Sequence, residues 1–240
     1  MVRSMNSMTT TLLLLIFFFC QIFTSHSSTI PSKYDGFIYP SAGGGGSGCE
    51  ESSSPPPISI DAFFDPLCPD CREAWVPLEK ALRYYSPRVS LTLHPFPLPY
   101  HDNAFLACRA LHIAHRLNSS AAYNLLQAFF DYQERYSNSL TSEMSRTSIV
   151  NDMAKFAARA LGKSLPMFQS GFKDPKTDEA TRVSFKYGCS RGVTGTPYFF
   201  VNGFALPGSG SALDYETWRS IIDPLLESLQ GRSEQALFEF

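Results

Sequence analysis

Residues 58–71 read ISIDAFFDPLCPDC, an apolar run that leads into two closely spaced cysteines. The first seven residues favour β-structure and predict a strand, and a helical pattern of apolar positions follows to about residue 85. Residues 89–96 alternate apolar and polar side chains, which predicts a second strand. Because one helix joins the two strands, residues 58–96 predict a βαβ unit with parallel strands and a right-handed crossover.

The two cysteines, Cys68 and Cys71, lie where this helix is predicted to begin. Unpaired backbone N–H groups and the positive end of the helix dipole stabilise a thiolate at Cys68. Pro69 suits the first helical position, where its missing N–H costs no hydrogen bond. A thiolate can attack a disulfide, and a second thiol one turn further along can displace the partner from the mixed disulfide. The spacing therefore predicts Cys68 as the nucleophile and Cys71 as the resolving thiol.

Two other interpretations of the Cys-x-x-Cys pair stay open at this point. The pair could be half of a structural zinc site, completed by Cys108 and Cys189 or by His112 and His115. It could also be a plain structural disulfide. The spacing of the two cysteines does not by itself separate these interpretations from a redox pair.

A second informative segment lies far downstream, where residues 192–203 read GVTGTPYFFVNG. A buried strand is predicted directly after Pro197, and Asn202-Gly203 predicts the turn of a β-hairpin. X–Pro bonds carry only a small penalty for the cis form, so Thr196–Pro197 is a candidate cis peptide.

Helical periodicity fills most of the chain between the two β-segments. Residues from about 101 to 190 place apolar side chains on one face of successive helices, which predicts an all-helical insertion. A last helix is predicted from about residue 215 to 229, with Pro224 as a kink or break. The insertion thus separates a βαβ half from a ββα half.

Taken together, the segments around Cys68 and Pro197 resemble the thioredoxin superfamily, and the helical insertion makes the chain similar to its DsbA-like branch. The resemblance covers residues 57–229 and implies an α/β thioredoxin-like fold, with a central mixed β-sheet and the insertion between the two halves. It implies a cis Thr196–Pro197 bond against the thiols, where the proline keeps metal away from them. It also implies that the Thr196 backbone binds an extended substrate, beside Pro69 and Asp70, and that no cofactor is needed.

The sequence departs from the superfamily pattern at the position six residues before the first cysteine. Members often carry a buried carboxylate there, which helps to move a proton from the second thiol, whereas this chain has Ala62. Asp61 is a candidate proton shuttle, but strand alternation places it on the opposite face unless a bulge intervenes. Asp65 is interpreted as a turn residue or cap.

Asp70 is the second departure. Strongly oxidising DsbA-type enzymes carry histidine at this position, which can stabilise the thiolate. A carboxylate beside Cys68 is expected to repel the thiolate, raise its pKa and make the disulfide harder to reduce. The sequence therefore predicts a weaker oxidant than those enzymes.

The remaining cysteines permit more than one arrangement. Cys108 and Cys189 are predicted either to form a stabilising disulfide or to be two separate buried thiols. Cys49 is left over in a Gly/Ser-rich loop. Asn118 begins the glycosylation sequon Asn118-Ser119-Ser120. The histidines of the mature region are assigned no catalytic role; they are His94, His101, His112 and His115.

The overall composition excludes several classes of protein. With 240 residues, 44% of them hydrophobic, the chain can build a full core, which excludes disorder as its main state. Its 20 basic and 22 acidic residues give a net charge of −2, so no basic field is available to hold nucleic acid. No metal site is predicted.

Residues 1–27 have the pattern of a secretory signal peptide, with one charge, an apolar run and then small polar residues. The run is too short for a membrane-spanning helix, and no span is expected after the signal is removed. We therefore expect a protein that is secreted or lies in the endoplasmic reticulum lumen, where disulfides can form. Residues 28–56 are predicted as an N-terminal segment with a Gly/Ser/Pro-rich loop, and residues 230–240 as a C-terminal tail.

The predicted function is that of an exported thiol–disulfide oxidoreductase, which acts on cysteine-containing proteins and exchanges electrons with an unidentified redox partner. One alternative is a non-catalytic binding or chaperone module that uses the aromatic surface around Pro197 and keeps the disulfide closed. A second is a glutathione transferase or isomerase of the kappa-like branch, which the chain resembles in its helical insertion. Those enzymes usually replace the first cysteine with serine, so Cys68 argues against it.

Overall fold

The computed structural model describes residues 36–40, 56–208 and 210–238, with side chains described as far as residue 230. The predicted signal peptide over residues 1–27, most of the segment 28–56 and Cys49 lie outside the described residues. The domain boundaries in those parts of the chain therefore stay predictions.

A five-stranded mixed sheet forms the centre of the molecule, with the strand order β1-β3-β2-β4-β5. Strands β2 and β3 are parallel, as the βαβ pattern predicts, and the other three pairings are antiparallel. The predicted α/β thioredoxin-like fold with a central mixed sheet is confirmed. The strands are β1 (Phe37–Ile38), β2 (Ile58–Phe64), β3 (Val89–Pro95), β4 (Tyr198–Val201) and β5 (Phe204–Ala205).

Helix α1 (Pro69–Tyr85) links β2 to β3, and a set of helices follows between β3 and β4. This set is the predicted insertion. A separate helix ends at Lys173 because Asp174 caps the next one and Pro175 begins it, a break that the periodicity did not predict. The helices are α2 (Ala104–His115), α3 (Ser119–Asp131), a 3₁₀ turn (Gln133–Tyr136), α4 (Asn138–Thr141), α5 (Arg146–Ala160), α6 (Leu165–Lys173) and α7 (Pro175–Ser190).

Helix α8 (Tyr215–Phe238) runs through Pro224. Of the predicted kink or break at this proline, the break is wrong, and the chain is helical where a tail from residue 230 was expected. Trp218, Ile222 and Leu226 are buried one turn apart on both sides of the proline. Their packing outweighs the one backbone hydrogen bond that the proline removes.

The two faces of the sheet are covered by different helices. On one face, Phe64 packs edge-on against Trp75 of α1, and Phe199 packs against Trp218 of α8. On the other face, Phe63 stacks with Tyr187 of α7. Helices therefore pack against both faces of strand β2. This packing fixes the position of its last residue, Phe64, after which the loop to the two thiols begins (residues 65–68, the thiol loop).

Helix α7 approaches the sheet closely at Gly188. A Cβ atom added there would lie 2.5 Å from a ring carbon of Phe96 and 3.2 Å from one of Phe63. Both rings are buried, so neither can move freely. The absence of a side chain at residue 188 thus sets the distance between this helix and the sheet.

Gly188→Ala is expected to destabilise the protein by about 1–3 kcal/mol through overpacking, although alanine is ordinarily favoured in a helix by about 1 kcal/mol. Urea unfolding measures the difference. Gly195→Ala is the matched control, because an added Cβ at residue 195 meets no atom within 4 Å. A Gly188→Ala protein as stable as the wild type would contradict this packing.

Candidate active site

The two thiols lie at the junction between β2 and α1, as the sequence predicts. Cys68 is the residue before the first turn of α1, and its backbone N–H donates to the carbonyl oxygen of Asp65 at 3.1 Å. Cys71 lies in that first turn. Both are free thiols, with 3% and 0% of their surfaces exposed. A sharp turn at the end of a buried strand therefore holds both sulfurs at the start of a helix.

The two sulfurs have different acidities. The pKa of Cys68 is lowered to about 6, first because the Cys71 side chain donates a hydrogen bond to its sulfur, and then because the backbone N–H groups of Cys71 and Asp70 also point to it. Together these outweigh the burial of Cys68. The pKa of Cys71 is raised well above its usual value, chiefly by burial and then by the neighbouring Cys68 sulfur. At neutral pH the pair is therefore a thiolate at Cys68 beside a thiol at Cys71.

The expectation of a raised pKa at Cys68 is wrong, because this pKa is lowered. Asp70 is exposed, and the contribution that reaches Cys68 comes from its backbone N–H, which lowers the pKa of Cys68. The backbone N–H groups at the start of α1 therefore lower the pKa of the Cys68 sulfur directly, whereas the Asp70 side chain is exposed to solvent. The strength of the protein as an oxidant stays a prediction.

Thr196 and Pro197 lie directly against the thiols, although 128 positions separate Thr196 from Cys68. The Thr196–Pro197 bond is cis, as predicted, and the carbonyl oxygen of Thr196 lies 3.5 Å from Cys68 Sγ, where it accepts a hydrogen bond only when Cys68 is protonated. The Thr196 hydroxyl lies beside both sulfurs and lowers the pKa of each. Its oxygen is buried and has no well-directed hydrogen bond to any other described group, so it is free to donate to a thiolate.

Asp61 does not lie with the thiols. Strand β2 has no bulge at this point, and Ala62 pairs in register with Leu93 and Phe199. Asp61 shares the face of Phe63, opposite to α1, and its carboxylate accepts a hydrogen bond from His94 Nε2 at 2.8 Å. The proposed proton shuttle at Asp61 is therefore not supported, because alternation in the strand turns the side chain away from Cys71.

Asp65 has a larger role than that of a surface turn residue. Its carboxylate is fully buried and accepts hydrogen bonds from the backbone N–H groups of Leu67 at 2.8 Å and Leu98 at 3.1 Å. His101 Nδ1 donates to the same carboxylate at 2.8 Å. The charge of Asp65 also reaches Cys71, whose pKa it raises. A buried carboxylate does accompany the thiols, three residues before the first cysteine.

His101 is the residue near the thiols that the sequence analysis missed. Its hydrogen bond to Asp65 raises its pKa, and the negative charges of Cys68 and Asp70 raise it further, against the effect of partial burial. The histidine comes from the loop before α2, 36 residues from Asp65. A histidine therefore lies near the Cys-x-x-Cys pair in this protein too. It is supplied by a distant loop and not by the position of Asp70 between the two cysteines.

Gln133 ties the thiol loop to the helical insertion. Its buried side-chain amide donates to the carbonyl oxygens of Pro66 at 3.0 Å and Cys68 at 2.8 Å. Both carbonyl groups belong to residues that precede the helix. The Cys68 carbonyl also accepts a hydrogen bond from the backbone N–H of Arg72, which begins the helical pattern of α1. A residue more than 60 positions away thus fixes the backbone that carries the nucleophile.

The other predicted ligands and thiols lie apart from one another. Cys108 is a fully buried free thiol, whereas Cys189 is an exposed free thiol near the end of α7, so the possible disulfide between them is not formed. His112 is buried against Phe37, which lowers its pKa to about 3. Within the described ranges, no group of three or more His, Cys, Asp or Glu side chains is placed to hold a metal ion.

Asn118 caps helix α3. Its side-chain oxygen accepts a hydrogen bond from the backbone N–H of Ala121 at 2.7 Å, and the residue is exposed. Glycosylation at this position stays a prediction.

The comparison with protein families agrees with this geometry. The model of the DSBA-like thioredoxin domain matches residues 59–217, which include both cysteines and the cis proline. This chain belongs to the DsbA-like family. Members of the family are thiol–disulfide oxidoreductases.

Solved structures share the DsbA-like fold at low sequence identity. A proposed protein-disulfide isomerase from Pseudomonas syringae matches with a TM-score of 0.59 and 20% identity, over 69% of this chain and 93% of that one. The thiol-disulfide exchange protein alpha-DsbA2 from Wolbachia pipientis matches with a TM-score of 0.55 and 18% identity, over 75% and 85%. A periplasmic thioredoxin-like protein from Salmonella enterica matches with a TM-score of 0.53 and 23% identity, over 72% and 86%. No curated protein sequence matches the chain.

The hydrogen bond from Cys71 is expected to control the acidity of Cys68. In the reduced protein, Cys71→Ala removes the donor and should raise the pKa of Cys68 from about 6 toward its usual value of 9. The pH dependence of alkylation by iodoacetamide measures this pKa. Cys71→Ser, which keeps a donor, is the control and should give a smaller rise. Equal pKa values in the two variants would contradict the assignment.

Proposed function

We propose that this DsbA-like protein is an exported thiol–disulfide oxidoreductase that acts on cysteines of protein substrates through Cys68 and Cys71. The observation that carries the proposal is the contrast between the two sulfurs, one acidic and one held as a thiol by burial. A structural disulfide does not require this contrast, whereas dithiol exchange does, because its two sulfurs act in different steps.

The exchange would run in two balanced steps. A substrate thiolate attacks the Cys68 sulfur of the Cys68–Cys71 disulfide; the bond between the two enzyme sulfurs breaks, and Cys71 receives the electron pair and a proton. A second substrate thiolate then attacks the substrate sulfur of the mixed disulfide, and Cys68 leaves as a thiolate. The substrate has lost two electrons, and a redox partner must reoxidise the pair. The low pKa of Cys68 stabilises the reduced pair and therefore favours this direction.

Thr196 is proposed to bind the substrate backbone beside the sulfur. Its carbonyl oxygen lies 3.5 Å from Cys68 Sγ, so a substrate cysteine bonded to that sulfur would lie next to the Thr196 backbone. Its hydroxyl could donate to the leaving thiolate. Pro69 and Asp70 follow Cys68 directly in the chain, are exposed, and are proposed to contact the substrate.

His101 and Asp65 are proposed to assist the proton balance of the pair. Asp65 orients the imidazole through Nδ1 and favours its charged form. The charged ring supports a thiolate at Cys68, and Asp65 disfavours a second negative charge at Cys71. Together they keep a single negative charge on the reduced pair.

Export is proposed on the signal-peptide pattern of residues 1–27 and on the redox chemistry, which requires a compartment that permits disulfides. Two of the structural relatives support this, since one is described as periplasmic and one as a thiol-disulfide exchange protein. In the part of the chain with described coordinates, none of the helices has the length and apolar character to cross a membrane. Whether the protein is secreted or stays in the endoplasmic reticulum lumen would be decided by fractionation of the expressing cell.

The redox proposal predicts that the protein catalyses insulin reduction by dithiothreitol and the oxidative refolding of a reduced protein. Cys68→Ser should lower both rates to those of the uncatalysed reactions, because serine cannot form the mixed disulfide. Cys189→Ser is the matched control, since it removes an exposed thiol distant in the sequence from the pair, and should be fully active. A wild-type protein that binds unfolded chains without accelerating either reaction would instead be the non-catalytic module.

His101→Gln tests the electrostatic assistance, because glutamine can still donate to Asp65 but carries no charge. The pKa of His101 is raised, so its charge is present below that pKa and is lost as the pH rises through it. Alkylation of Cys68 at pH 6 should therefore slow roughly twofold, because a rise of about half a pKa unit from about 6 lowers the thiolate fraction at that pH from about one half to about one quarter. The difference from wild type should vanish near pH 9. Tyr100→Phe is the control, since the pKa of Tyr100 is raised above 10 and its phenol stays neutral throughout. A difference that persists unchanged at pH 9 would exclude a role for the histidine's charge.

A further inference from the structure

The helical insertion contains a cavity that the thiol chemistry does not use. It has a volume of about 360 Å³ and is bounded by residues of α2, α5 and α6. This volume lies at the lower end of the range for small-molecule sites. Three kinds of side chain line it. Leu106, Val150 and Phe172 are apolar, Arg109, Arg146 and Lys173 are cationic, and Thr147, Asn151 and Gln169 are polar and uncharged.

Arg109 is a fixed and buried cation in this wall. Its guanidinium donates to the Thr177 hydroxyl and to the carbonyl oxygen of Asp174, each at 2.9 Å. The nearest carboxylate is Asp178, 3.6 Å away, and that group also pairs with Arg182 at 2.5 Å. The charge of Arg109 is therefore only partly balanced by the protein.

The other two cations of the wall lack an ion-pair partner within the part of the chain that the structure describes. Neither Arg146 nor Lys173, both exposed, forms an ion pair with another described residue. The charge of Arg146 reaches Arg109 and, after burial, contributes to the lowered pKa of Arg109. The second carboxylate of the region, Asp174, is occupied by Arg116 at 2.9 Å.

This local balance is opposite to that of the whole chain. Three basic side chains line the cavity and none of its lining residues is acidic, whereas the whole chain has a net charge of −2. Positive side chains that lie close together repel one another, which costs free energy, and a bound anion would reduce this repulsion. A guanidinium beside an ammonium group matches the oxygens of a phosphate or carboxylate.

The geometry points to a binding site for a small organic anion, which we propose has a compact, doubly charged head, such as a phosphate monoester, and an apolar remainder. The head would lie between Arg146 and Lys173 with Arg109 behind it. The remainder would cover Leu106, Val150 and Phe172. The site is independent of the proposed redox function, since none of its residues belongs to the thiol site.

Phenyl phosphate is a suitable probe because it has both a doubly charged head and an apolar ring. Two control compounds are tested beside it: inorganic phosphate, which has the charge but no ring, and phenol, which has the ring but no negative charge. Thermal unfolding and calorimetric titration are measured at pH 7.5 and constant ionic strength. At a concentration tenfold above the dissociation constant, phenyl phosphate should raise the folded-to-unfolded ratio about elevenfold, which corresponds to a melting temperature higher by about 3–6 °C. Inorganic phosphate should bind more weakly, and phenol should give no shift.

The variant Arg146→Gln with Lys173→Gln should bind phenyl phosphate at least about tenfold more weakly, because two charged contacts are lost. Without the probe it should be as stable as the wild type, since the substitutions remove like charges from an exposed rim. Arg159→Gln with Lys163→Gln is the matched control: it makes the same change of charge on exposed residues outside the cavity and should bind normally.

Several results would overturn the proposal. One is the absence of any shift with phenyl phosphate in the wild-type protein, and another is a shift that persists in the Arg146→Gln, Lys173→Gln variant. Equal binding of phenyl phosphate and inorganic phosphate would mean that the apolar wall takes no part. A shift with phenol as large as that with phenyl phosphate would mean that the cations take no part.

Discussion

A single hydrogen bond between two cysteines makes their chemistry unequal. The hydrogen bond from the Cys71 thiol to the Cys68 sulfur is the largest cause of the low pKa of Cys68, while burial raises the pKa of Cys71 well above its usual value. The bond requires that both residues share the first turn of α1, and that turn requires a strand ending at Phe64. The main contribution of the sheet to the site is therefore to fix the position of the first turn of α1, which carries the two cysteines.

The thiol loop is held from three sides by groups that are distant in the sequence. Asp65 binds two backbone N–H groups and His101, Gln133 binds two carbonyl oxygens of the loop, and Thr196 lies against the sulfur. The contacts of Asp65 and Gln133 give hydrogen-bond partners to the backbone groups of Leu67, Leu98 and Pro66. A reactive sulfur can thus remain in a fixed position while only 3% of its surface is exposed.

Much of the fold could be predicted from the sequence because its signals are local. Apolar periodicity located β2, α1 and β3, and Asn202-Gly203 located the hairpin, where both residues have positive φ. Contacts that span dozens of residues left no such signal, so His101 and Gln133 were missed. Local rules also failed where packing or hydrogen bonding outweighed them. Pro224 does not break α8, and the helix start rather than the carboxylate of Asp70 dominates at Cys68.

Gln133 lies in the 3₁₀ turn of the insertion but binds the backbone that precedes Cys68. If the insertion opened by local unfolding, the carbonyl oxygens of Pro66 and Cys68 would both lose the hydrogen bond from Gln133, and Cys68 would keep only the bond from the Arg72 N–H. The two hydrogen bonds of Gln133 therefore couple the insertion to the reactive loop. We expect the stability of the insertion to limit the motion of the backbone that carries the sulfur.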